Sequence, residues 1–137
     1  MTVYLDTSDL VKLYIDEPKA DEIHSLVADA AVVVTSVIAY AEARATFARR
    51  RRERLMTPSE MKAAIRQLDV DWQRFVIIDV NDQQGRAAGY LADAHGIQGC
   101  DAVHLAAFED VLANADDEDV RFSSADARLV RAARSLG

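Results

Sequence analysis

The chain has 137 residues, half of them hydrophobic, which is enough for one compact core that buries roughly 70% of the surface the unfolded chain exposes. A formal net charge of −7 argues against a general nucleic-acid coat protein, and a lone cysteine, Cys100, excludes a disulfide framework and fits a reducing cytosol. No basic segment followed by an apolar one stands at the N-terminus, and the longest low-polarity run, 30–41, is too short to cross a bilayer. The expectation is a soluble, cytoplasmic single domain spanning residues 1–137.

The first element is a β-branched and aromatic run, Thr2–Leu5, which ends on Asp6 and passes almost at once into a helical pattern. Thr7 or Ser8 is available to cap that short helix, and Pro18 is expected to open another running to about Ala30. The second strand, 31–35, is apolar on both parities, as expected where helices cover both faces of a sheet. A long helix follows, with Ile38, Ala41, Ala45 and Ala48 forming one apolar stripe at helical spacing and Glu42 at its edge. Tyr40 and Phe47 fall on the opposite side, for packing within the chain or for association. This helix closes on a basic cluster, Arg49, Arg50, Arg51, Arg52 and Arg54, which reads either as a solvated end or as a phosphate-binding patch.

Thr57-Pro58-Ser59-Glu60 is a capping box with proline at the first helical position. The helix it opens carries Met61, Ile65, Leu68 and Trp72. A third strand is expected over 75–80. Asn81 with Gln84 then marks a helix start, and Gly96 after His95 marks its end. Beyond Gly99-Cys100, one helical face is lined by Asp101, Leu105, Phe108 and Leu112, with His104 on the neighbouring turn as a packed or hydrogen-bonded core histidine. An acidic loop, Asp116, Asp117, Glu118 and Asp119, leads into the fourth strand, Val120–Ser123, and a last helix. The alternation predicts an α/β fold, a three-layer α/β/α sandwich on a short, mostly parallel central sheet.

Four carboxylates stand where elements meet one rim of such a sheet. In parallel sheets, ligands bind beyond the carboxyl ends of the strands. Asp6 follows strand 1 and Asp126 follows strand 4, while Glu42 lies one turn after Ile38 in the long helix and Asp101 leads the helix beyond Gly99-Cys100. Singly, Asp6 and Asp126 read equally well as helix N-caps. Together, two carboxylates about 4 Å apart repel by about 4 kcal/mol at an effective dielectric near 20. Convergence therefore calls for proton uptake or a cation, and hard oxygen ligands suit Mg²⁺ or Mn²⁺.

The blocks "YLDTSDLVKLY", "SVIAYAEARA", "GCDAVHLAAF" and "FSSADARLVRAA" resemble, in order and across nearly the whole chain, the four motif blocks of PIN-domain ribonucleases. The likeness is greatest to the toxins of VapBC toxin–antitoxin pairs. The resemblance implies that Asp6, Glu42, Asp101 and Asp126 form the catalytic, metal-holding quartet, with Ser8 and Ser124 as its hydroxyl partners. It implies a Mg²⁺- or Mn²⁺-dependent endoribonuclease acting on structured RNA such as tRNA or rRNA. A homodimer and a cognate antitoxin are implied too. Arg49 follows Glu42 by seven residues on nearly the same helix face, which makes Arg49, Arg50, Arg51 and Arg52 candidate contacts to RNA or to an acidic antitoxin. Two departures are a serine at 124, where threonine is common, and a last helix not followed by the further short strand that many members carry.

Other readings are a structure-specific nuclease of related fold and a non-catalytic RNA- or protein-binding module. A haloacid-dehalogenase-type phosphatase needs a second aspartate two positions after the first, where this chain has Ser8.

Overall fold

The computed structural model describes residues 1–137. Its elements are β1 (Thr2–Leu5), α1 (Thr7–Leu10), a 3-10 turn (Val11–Leu13), α2 (Ala20–Asp29), β2 (Val32–Ser36), α3 (Ile38–Arg52), α4 (Pro58–Trp72), β3 (Val76–Ile78), α5 (Asp82–His95), α6 (Gly99–Asn114), β4 (Val120–Ser123) and α7 (Ala127–Leu136). No helix is long and apolar enough to cross a membrane.

The strands lie in the order β3-β2-β1-β4, and every neighbouring pair is parallel. Tyr4 is level with Val34 on one side and Phe122 on the other, so β1 is central and all four of its residues are buried. Side chains alternate between the faces of a strand. Accordingly Tyr4 packs with α5, α6 and α7 residues such as Leu91, Leu105 and Leu129, whereas Val3 and Leu5 pack with Leu10, Ile23 and Ala39. These are the three layers of the expected sandwich. The chain steps outward from β1 to β2 to β3, then crosses back to place β4 on the far side of β1. That reversal makes the β1/β4 junction the topological switch point, where open α/β sheets leave a crevice beyond their strand ends.

Several local expectations shift. Strand β3 is confined to Val76–Ile78, shorter than the 75–80 run. Helix α2 begins at Ala20, because Lys19 adopts a left-handed conformation (φ 70°) that separates Pro18 from the helix. The short helix α1 is capped by Asp6 itself, which accepts from the Asp9 N–H, and not by Thr7 or Ser8.

The largest difference concerns α3. Its buried stripe is Ala39, Ala43 and Phe47, while Ala41 and Ala45 are exposed. Phe47 decides the rotation: an aromatic ring buries far more area than several methyl groups, so its side of the helix turns inward. It joins Leu68 and Ala64 of α4, with Tyr40, Met61, Ile65 and Trp72 packed against them. The Tyr40 and Phe47 side is therefore an intrachain contact. The reading of α4 stands: Thr57 Oγ1 accepts from the Glu60 N–H while Glu60 Oε1 accepts from the Thr57 N–H. Asn81 caps α5, and Gly96 ends it at φ 62°.

Candidate active site

Because all strands run the same way, residues that follow them emerge on one rim. Asp6 leaves the end of β1 with its backbone N–H on the Ser123 carbonyl of β4, 3.1 Å away. Its carboxylate is 5% exposed and fully engaged: Oδ1 accepts from Ser8 Oγ (2.6 Å) and the Asp9 N–H (3.1 Å), and Oδ2 from Ser124 Oγ (2.5 Å). Burial raises the Asp6 pKa by more than the Ser124 and Ser8 hydrogen bonds lower it. An anion there is costly, and a cation nearby offsets the cost.

Glu42 arrives from the second turn of α3. Thr7 Oγ1 donates to its Oε1 at 2.6 Å, and His104 Nε2 stands 2.9 Å from the same oxygen. Burial pushes this carboxyl up, but the hydrogen bonds from His104 and Thr7 outweigh it and the net shift is downward. Asp101, in the first turn of α6, behaves oppositely. Burial and then the charge of Asp126 raise its pKa, and Glu42 adds to the effect. Asp6, Glu42 and Asp101 line one open cleft of about 520 Å³, together with Thr7, Ser8, His104, Arg49 and Arg52. Asp126 is not on the cleft wall; its backbone N–H donates to Ser124 Oγ (3.0 Å), and its Oδ1 caps α7 by accepting from the Arg128 N–H (2.9 Å).

The donor set fits a hard divalent cation. All of it is oxygen, and Glu42 Oε2 and both Asp101 oxygens receive no hydrogen bond from the protein. No three of these side chains stand close enough to hold an ion unaided. An ion held here would need water or a bound phosphate to complete its shell.

A family model described as "PIN domain" matches residues 3–135. The chain belongs to the PIN-domain family. Ribonuclease VapC45 of Mycobacterium tuberculosis is 35% identical to this PIN domain over 104 residues, covering 76% of this chain and 72% of the relative. Among solved structures, VapC20 of Mycobacterium tuberculosis, described as a sarcin-ricin loop cleaving toxin, superposes with a TM-score of 0.65 at 18% identity over 90% of this chain and 91% of that one. A toxin–antitoxin complex from Klebsiella pneumoniae gives a TM-score of 0.62 at 14% identity, covering 90% of this chain and 86% of that one.

Within this PIN domain the four arginines at the end of α3 divide. Arg49 and Arg52 line the acidic cleft, Arg51 turns to a neighbouring depression with Arg54, and Arg50 pairs with Glu17 at 3.4 Å. Sequence reasoning placed His104 correctly as a packed or hydrogen-bonded core residue, 2% exposed, but missed that its partner is Glu42. His104 follows Asp101 by three positions, which puts both on one side of α6, but no spacing relates either to Glu42. Thr7, read only as a cap, joins the site through Glu42.

Proposed function

We propose that this PIN domain is a metal-dependent endoribonuclease that hydrolyses phosphodiester bonds in structured RNA, tRNA or rRNA, as the toxin of a VapBC toxin–antitoxin pair. The observation that carries the reading is the cleft itself: Asp6, Glu42 and Asp101 share it with Arg49 and Arg52 at the switch point of a parallel sheet. The ribonuclease name of its 35% identical relative supports it.

Asp6, Glu42 and Asp101 would hold Mg²⁺ or Mn²⁺, directly or through water, with Asp126 completing that site or a second one. The ion supplies charge neutralisation at the phosphate and a lower pKa for the attacking water. The chain's own residues do the rest. Ser8 and Ser124 fix both oxygens of Asp6, which leaves neither hydroxyl free to act as a nucleophile. Arg49 and Arg52 present positive charge beside the acids and draw an RNA backbone to a cleft that would otherwise repel it. A cognate antitoxin and a second copy of the chain are the partners this reading includes, and a cytoplasmic location goes with them.

Asp6→Asn and Asp101→Asn each remove one ionised oxygen while keeping shape. Incubated with total RNA and Mg²⁺, each variant is expected to cleave about 100-fold more slowly or worse, equivalent to several kcal/mol of lost barrier reduction. Variants that cut as fast as the parent, with contaminating nuclease excluded, make the assignment wrong.

A further inference from the structure

Tyr4, His104 and Glu42 form an unbroken chain from the buried central strand to the half-buried wall of the cleft. Tyr4 Oη lies 2.7 Å from His104 Nδ1, and His104 Nε2 lies 2.9 Å from Glu42 Oε1. The tyrosine ring is fully buried, stacked on Phe122 at 5.5 Å and edge-on to Phe108 at 6.1 Å, so its hydroxyl has a fixed direction. His104 Nδ1 is its hydrogen-bond partner, and a buried hydroxyl finds an acceptor. The ring's own proton therefore stands on Nε2, facing the Glu42 carboxylate. The opposite tautomer would set a nitrogen lone pair against a carboxylate oxygen at 2.9 Å.

We propose that His104, oriented by Tyr4, is a positioning residue that pins Glu42 Oε1 and thereby presents Oε2 to the cleft. Thr7 donates to the same Oε1 at 2.6 Å, so both protein donors fall on one oxygen and the other is left for a ligand. A glutamate on a helix otherwise has three torsions to sample, and two converging donors from different elements, α1 and α6, remove that freedom. The inference rests on the metal-site reading above, since Oε2 is the oxygen offered to the cation.

Three measurements test it. In uniformly ¹⁵N-labelled protein, a long-range nitrogen–proton correlation spectrum is expected to show the His104 proton on Nε2. Mn²⁺ affinity, read by calorimetry, is expected to fall about 10–100-fold in His104→Leu, the usual cost of removing the outer partner of a metal ligand. His104→Gln, whose amide N–H reaches close to the Nε2 position, is expected to restore most of that affinity. Because the histidine is buried, unfolding midpoints accompany each variant, and the spectrum of the unaltered protein needs no variant at all. A proton on Nδ1, or His104→Leu and His104→Gln losing affinity equally, overturns the proposal. So does unchanged Mn²⁺ affinity in folded His104→Leu when Glu42→Gln loses it, and in that case the metal-site reading survives. If the parent binds no Mn²⁺ and Asp6→Asn cleaves like the parent, both fall together.

Discussion

Lys12 and Asp9 make the most buried ion pair of the fold. They are 7% and 4% exposed, with Nζ and Oδ1 2.6 Å apart, and Ser123 Oγ donates to the second Asp9 oxygen at 2.6 Å. The pair ties α1 to the end of β4, beside the strand-end carboxylate that anchors the cleft. Removing one member of a buried pair leaves an uncompensated charge, which costs far more than the intact pair contributes. Lys12→Met is expected to lower unfolding stability by about 3–5 kcal/mol in urea titration. A loss under about 1 kcal/mol would mean that the pair behaves as an exposed one. Nothing in the sequence marked this pair, because an aspartate and a lysine three apart on a short helix read as a solvated i,i+3 contact. Their burial follows from tertiary placement, with α1 packed against β1, α2 and α3.

Helices were legible to the extent that their ends carry chemistry. The capping box at Thr57, the Asn81 cap and Gly96 each name a boundary through a hydrogen bond or a backbone angle, and each stands where the residues put it. Thr57→Ala removes the acceptor for the Glu60 N–H and is expected to cost about 1 kcal/mol, seen as a lower thermal midpoint, while Thr57→Ser restores it. An unchanged midpoint in Thr57→Ala would mean that the first turn of α4 is held by packing alone. Faces were less legible than ends. The alanine stripe of α3 had the right period and the wrong side, since alanines satisfy any face and only Phe47 fixes which one turns inward. Of the four acids, Asp6, Glu42 and Asp101 share one cleft because each stands near the end of a parallel strand or the start of the helix beyond it, whereas Asp126 caps α7 and is not on the cleft wall. The Tyr4–His104–Glu42 chain was not legible, because it joins residues up to 100 positions apart through side-chain geometry that no spacing encodes.

At the scale of the molecule, a net charge of −7 sits uneasily with the polyanionic substrate proposed for it. The arrangement of charge resolves this. Arg49 and Arg52 stand in the cleft beside the carboxylates, whereas Arg50 is tied to Glu17. Binding measured without divalent cation, so that nothing is cut, is expected to weaken with salt. Replacing both Arg49 and Arg52 with Gln should flatten the slope of log affinity against log salt by roughly 0.7–0.9 for each phosphate no longer neutralised, while Arg50→Gln leaves it nearly unchanged. Equal slopes in the parent and the double variant would assign RNA binding to another surface.

The hydrogen bond between Ser124 and Asp6 spans 118 positions and closes almost the entire chain upon itself. On the ribosome, the first carboxylate of the cleft emerges early, but its anchor follows only when β4 has been made, and β4 must reach the exit and pair with β1 before the cleft has its shape. A growing chain of this protein thus carries Asp6 without its Ser124 partner for nearly the whole of its synthesis.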